Sequence, residues 1–391
     1  MQSLTETPAV APPGQQSRAG RTALAISMLL STSYAVLLPV IPVLVETPGR
    51  TGIAGAVTAA LLATTVVSEF LTPLLMVRIS ARLLVVAGML LVGIPCVVYF
   101  LPGVSLPLIF TASALRGVGL GVAGVVLMSV AARHSAPQRR GAAMGLYGTA
   151  FTLPIFAGPP LGLYLLGSGL GGLAGGLSAA AGLVGAVVAL RMHDDRATLP
   201  GISLRKLLPH WPVLQVLPAL VIANMTFGAL VSFLPIVLPV RGIFSAATFL
   251  LVSGAARVAG RFLSGLVVDR LPAEVVLLMG AVAALAGLLP LPFSTQAAVI
   301  IPAAAVYGLG NGSIQTAGFV AMLKRGAASD VRIITGAWNT AVDIGAASGA
   351  AILGALAAGI GLNIVLGAFP AIAALAIPAA LFLVRPARPA T

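Results

Sequence analysis

Charge is what this chain has least of: Asp, Glu, Lys and Arg make up only 8% of 391 residues, against 59% hydrophobic. So little polar surface cannot cover a soluble globule around so large an apolar content, so the chain reads as an integral membrane protein. Cysteine is all but missing, and the single Cys96 stands in an apolar run, which excludes a disulfide framework and a cysteine metal centre. There is no P-loop, no HExxH and no GxSxG with triad partners. The expectation is a non-enzyme with no cofactor and no metal, whose work would draw on an ion gradient or on an ATPase from another chain. His134, His193 and His210 fall between the apolar runs, which argues against a histidine proton relay.

What the chain does have is long, continuous apolar runs. A transmembrane barrel would show alternation in ten-residue segments, whereas runs of about 20 residues match helices that cross a bilayer core. The spans predicted are 22–45, 53–77, 83–101, 106–130, 142–166 and 170–190, then 213–240, 244–268, 275–291, 297–323, 333–358 and 362–384. Between the two sets lies the longest polar stretch, RMHDDRATLPGISLRKLLPHW. The organisation is therefore a disordered tail over 1–21, a six-helix bundle over 22–190, a linker over 191–212, a second bundle over 213–384 and a short tail over 385–391.

Orientation follows from the basic residues. The two tails and the even-numbered connections hold 17 of the 22 Lys and Arg, while Arg50 and Arg241 alone occupy odd-numbered connections. By the positive-inside rule both termini and the linker face the cytoplasm, which places the chain in the cell (inner) membrane. The net charge of +13 is spread over short loops rather than gathered on one face, so nucleic acid is not an expected partner.

An internal repeat supports two halves. EFLTPLLMVRISARLLVVAG (Glu69 onward) aligns without gaps on RFLSGLVVDRLPAEVVLLMG (Arg261 onward); RGVGLG pairs with YGLGNG and GLYGTA with GAWNTA in nearly the same register. Six spans restore the starting side, so the halves are parallel repeats with a binding site expected between them near mid-membrane.

These motifs resemble the major facilitator superfamily, whose architecture is the worked case of the parallel-repeat rule. The superfamily's loop motif is similar to GLVVDR, with Gly265, Asp269 and Arg270; its first-half copy departs from the pattern, with Pro73 and Val77 in place of glycine and aspartate but Arg78 kept. RGVGLG is similar to the fourth-span signature, although Arg116 stands directly before the first glycine. GPPLG, with Gly158, Pro159 and Gly162, looks like the antiporter motif of twelve-helix drug:proton exporters, and DIGAASG is similar to a run in their eleventh span. The resemblance implies an all-α membrane protein of two parallel six-helix repeats, alternating access between them, and proton-coupled export.

The residues carry their own reading. Glycines four apart, at Gly117 and Gly121, Gly158 and Gly162, Gly308 and Gly312, and Gly345 and Gly349, mark close helix seams. Five ionisable groups lie within spans, where each is costly and points to function or to buried pairing: Glu69, Asp343, Arg116, Arg257 and Arg261. From the nearest cytoplasmic arginine, Glu69 lies roughly 13 Å deep and Asp343 roughly 16 Å. In the resembling fold the second and eleventh spans meet between the halves, which would bring these two carboxylates together as a proton-coupling pair, with the three arginines as charged cavity or gate groups. Two carboxylates in one low-dielectric site resist double ionisation, so one can hold a proton near neutral pH. Tyr34, Asn224, Tyr307, Asn311, Trp338 and Asn339 are candidates to line a cavity, or else interhelical hydrogen-bonders.

The expected function is secondary transport of a small-molecule substrate, with protons and the lipid bilayer as the other partners and a monomer as the working unit. Proton-coupled export of small organic or amphipathic molecules is one reading. Proton-coupled uptake or facilitated diffusion of a polar metabolite is a second, and a non-transporting sensor or lipid-handling protein is a third.

Overall fold

The computed structural model describes residues 13–46, 52–133, 140–192, 211–241, 246–294, 296–326 and 331–384. Among them every regular element is helical. The first half comprises α1 (Pro13–Ala35), α2 (Val40–Val45), α3 (Ile53–Arg78), α4 (Ala81–Gly93), α5 (Leu106–Arg133), α6 (Arg140–Gly167) and α7 (Gly171–Ala189). The second comprises α8 (Trp211–Leu214), α9 (Leu217–Arg241), α10 (Ala246–Val267), α11 (Ala273–Leu288), α12 (Ala297–Arg325), α13 (Val331–Ile360), α14 (Val365–Ala374) and α15 (Ala376–Val384).

By length and composition, eleven helical segments suffice to cross a membrane, and the shorter Ala273–Leu288 completes twelve crossings. The repeat is visible in the chain positions: α5 begins at Leu106 and α12 at Ala297, α6 at Arg140 and α13 at Val331, each pair 191 residues apart. Packing follows the same symmetry, with α3 on α5 in the first half and α10 on α12 in the second.

Four expected segments differ in detail. The tail expected over 1–21 is helical from Pro13, because a proline at the first helical position costs no hydrogen bond and the Gln, Arg and Ala that follow are good helix formers. The first span is broken into α1 and α2 by a turn over 36–39, where Pro39 cannot donate to the helix ladder and Pro42 follows closely. The third span changes at Ile94–Phe100 to the tighter 3-10 form just before Pro95. The last span begins with a 3-10 turn at Leu362–Ile364 and is interrupted at Leu375. Most of the linker and both chain ends lie outside the described residues.

Glycine seams set the distances between helices. In lipid there is no hydrophobic force between two apolar helices, so close packing has to hold them. A side chain at Gly308 would strike the Ser253 carbonyl on α10, and one at Gly312 the Arg257 carbonyl. Gly345 and Gly349 lie against the Val221 and Met225 carbonyls of α9, and Gly117 and Gly121 against Leu61 and Thr65 of α3. Across the halves, Gly52, just before α3, and Gly55 of α3 sit on Ala350 and Gly354 of α13. Cys96 is buried, with its Sγ 3.1 Å from the Val92 carbonyl.

Candidate functional site

The two halves meet along α3 against α13 and α6 against α10, and the in-span charges gather around these contacts. Glu69 on α3 and Asp343 on α13 face each other across the first seam, and their side chains lie within hydrogen-bonding reach. An ionised carboxylate only accepts hydrogen bonds, so a bond between the two requires a proton on one of them. The Tyr34 hydroxyl, on α1, lies within the field of Asp343, Arg116 and Arg257, so these four groups share one interior.

The three arginines have different surroundings. Arg116 on α5 is 1% exposed; its Nη2 donates to the Ser33 carbonyl at 2.9 Å and to the Tyr34 carbonyl at 3.4 Å. Its guanidinium lies 5.6 Å from the Tyr99 ring centroid, and the Tyr99 hydroxyl bonds Ser113 at 2.9 Å. Arg116 therefore braces the end of α1, just before the break. Arg261 on α10 donates through Nη2 to the Gln315 side chain and through Nη1 to Thr152 of α6 at 3.4 Å, a polar link between the halves. Arg257, one turn earlier on the same helix, has no hydrogen bond or ion pair among the described residues. Its guanidinium stacks 4.2 Å over the Phe227 ring.

Gln315 anchors a network inside the second half. Its amide nitrogen donates to Asn224 at 2.9 Å and to Asn311 at 3.3 Å; Asn311 in turn donates to the Ala223 carbonyl, and the Trp338 indole N–H reaches the Gln315 carbonyl at 3.2 Å. Asn224 and Asn311 are fully buried and spent on these interhelical bonds, not on a cavity wall. Asn339 points across the halves toward the Met128 sulfur at 3.9 Å.

Beside this network lies a narrow cleft, with about 30 Å³ of room for water-sized occupants, between α6 of the first half and α9, α10 and α12 of the second. Its walls are largely apolar, with Phe156, Pro159, Phe227 and Leu250 among them, and its polar groups include Thr152, Ser253, Arg257 and Tyr307. The Tyr307 hydroxyl shares a 3.3 Å hydrogen bond with Thr226. Of the candidate lining residues, Tyr307 lies on this wall. Gln315, Thr152 and Phe227 were not singled out from the sequence. Gln315 was findable: Tyr307, Asn311 and Gln315 recur every four residues, one face of one helix.

GPPLG seats the break in the first span. A side chain at Gly158 would meet Ala35 and the Val36 nitrogen, and one at Gly162 would strike the Val36 carbonyl. α6 runs unbroken through Pro154, Pro159 and Pro160. The loop motif is looser, since a side chain at Gly265 would meet nothing nearby. Arg78, Asp269 and Arg270 form no ion pair among the described residues. The ion pair seen at that end joins Arg325 to Glu274 at 3.2 Å, and Lys324 reaches the Val268 carbonyl at 3.4 Å. Among the described residues no group of three or more His, Cys, Asp or Glu is placed to hold a metal.

Two helical repeats closing on buried charge and a mid-span cavity define a multi-pass membrane transporter. Residues 23–350 match the family model described as Major Facilitator Superfamily, and the chain belongs to that family. Solved structures share the fold. A POT family transporter in complex with a thioalcohol-conjugated peptide superposes with a TM-score of 0.73 at 13% identity, covering 94% of this chain and 95% of that one. A peptide transporter POT in complex with alafosfalin gives 0.72 at 15%, covering 96% and 97%. A POT family transporter in complex with 5-aminolevulinic acid gives 0.71 at 14%, covering 94% and 95%. At these identities the likeness is one of fold. A search of curated proteins returned no match.

Proposed function

We propose that this transporter is proton-coupled and exports small amphipathic organic molecules in exchange for protons, rocking its two halves about the cavity beside Arg257. The observation that carries the coupling is the Glu69–Asp343 pair, one carboxyl on each half and within hydrogen-bonding reach. With a shared proton the pair holds α3 to α13; with both groups ionised, repulsion in a low-dielectric interior drives those helices apart. Protonation and the relative position of the halves thus become one variable, the requirement for driving alternating access with a proton gradient. Export is supported by the likeness of GPPLG to the antiporter motif and by its place against the break in the first span. The 17-to-2 distribution of basic residues supports cytoplasmic termini in the cell membrane, and the working unit is a monomer.

Proton-coupled uptake is the second reading, favoured by the unpaired Arg257: an anion entering there would load more readily when the carboxyl pair is protonated. The deciding experiment is substrate accumulation in proteoliposomes under imposed pH gradients. Accumulation driven by an acid lumen marks exchange, and accumulation driven by an acid exterior marks cotransport. Binding without accumulation under either gradient would mean a sensor and overturn the proposal.

A further inference from the structure

We infer that the cleft beside Arg257, narrow in this state and lined by both halves, receives an amphipathic organic anion, a carboxylate on an apolar body, as the halves part. The inference rests on the transport reading and names its substrate class. Among the described residues, Arg257 is the only charged group on the wall of the cleft. Arg116 is held through Nη2 by the Ser33 and Tyr34 carbonyls, with its Nε and Nη1 buried away from the cleft wall, and Arg261 is held through Nη1 and Nη2 by Thr152 and Gln315. Arg257, by contrast, keeps its N–H donors unspent among the described residues, and the Phe227 ring backs it at 4.2 Å. The groups whose fields act on it are the hydroxyls of Tyr307 and Tyr34 and the neighbouring Arg261 guanidinium. Neither deep carboxylate neutralises it, because Glu69 and Asp343 are engaged with each other.

A guanidinium inside a bilayer with no counterion is a standing demand for one. Its planar fork matches a carboxylate with two parallel hydrogen bonds, and an aromatic ring on one face fixes the fork's plane without using a donor. Tyr307 and Ser253 add hydroxyls on the same wall, while Phe156, Pro159 and Leu250 offer only apolar surface. A cation entering this space meets two like charges, and a neutral polar molecule leaves the guanidinium unpaired. An acid with a hydrocarbon body satisfies both parts of the wall.

The test uses the full-length protein in nanodiscs at neutral pH, titrated calorimetrically with three probes sharing one body: phenylacetate, phenethyl alcohol and phenethylamine. Phenylacetate is expected to bind at least about tenfold more tightly than the alcohol, a difference of about 1.4 kcal/mol, with the amine weakest. Arg257→Gln should abolish the preference for the acid, and Arg257→Lys, which keeps the charge but not the fork, should retain part of it. If Arg257→Gln elutes as aggregate, the wild-type ranking and the lysine variant decide alone. Equal or tighter binding of the alcohol or amine, no detectable binding of phenylacetate, or an acid preference that survives Arg257→Gln would overturn the inference. Failure of the transport reading looks different: phenylacetate would bind with the expected preference yet never accumulate under any pH gradient. Accumulation of the amine without acid preference would leave transport standing and remove the anion site.

Discussion

Glu69 and Asp343 sit on different halves yet within hydrogen-bonding reach, so a proton shared between them would belong to the interface and not to either helix. Glu69→Gln and Asp343→Asn keep size and hydrogen bonding nearly constant while removing a titratable proton. At least one of them is expected to abolish gradient-driven accumulation while substrate counterflow persists. Full proton-driven accumulation by both single variants and by the double variant would reduce the pair to a structural clasp. Gln315 makes the contrasting case. It satisfies Arg261, Asn224 and Asn311 at once, so Gln315→Leu should leave the half-buried Arg261 guanidinium with Thr152 as its remaining side-chain partner and cost roughly 1–3 kcal/mol of stability. Thermal unfolding in detergent would register that loss, and an unchanged midpoint would count against the network. The depth of each carboxylate was legible in the sequence because it can be counted from a basic loop, while their meeting was implied only by the family resemblance. The network was not legible, because hydropathy scores a glutamine as a defect and says nothing of what it faces.

At the scale of elements, the informative piece is the broken first span. Hydropathy over 22–45 is uniformly high, which hides the turn at 36–39; Pro39 and Pro42 were its only trace in the sequence. The turn matters because two things meet there. Arg116 holds the Ser33 and Tyr34 carbonyls from one side, and Gly158 and Gly162 press against Ala35 and Val36 from the other. Gly158→Leu would force that turn away from α6. Overpacking of this kind costs about 1–3 kcal/mol, so the variant is expected to insert at wild-type abundance and lose exchange, as read by counterflow in vesicles. Wild-type counterflow at equal abundance would show the glycine to be passive packing. The other motif glycine, Gly265, presses on nothing, and a small side chain there should be tolerated.

For the whole molecule, the sequence was most explicit about topology, because an apolar run and a basic loop each report directly on the bilayer. Two halves, their parallel relation and all twelve crossings could be read that way; which helices touch across the halves could be inferred only through the family resemblance. Orientation remains a proposal with a direct check. Cysteines placed at Ser3, Ser203 and Thr391, all beyond the described residues, should react with an impermeant maleimide only from the cytoplasmic side. Labelling of Ser203 in intact cells would overturn the topology.

The seam that carries the carboxyl pair ends, away from Arg78, in Gly52 and Gly55 lying on Ala350 and Gly354. Gly52 holds a left-handed backbone conformation at φ 92°, and its N–H is taken by Glu46 at 3.0 Å within the same half. Among the described residues, what joins the halves at this seam is therefore backbone packed on backbone, with the Ala358 methyl beside it. A gap of about 0.5–1 Å already forfeits a quarter to a half of attraction of that kind, so the joint works like a snap fastener, holding when shut and giving way once it begins to part.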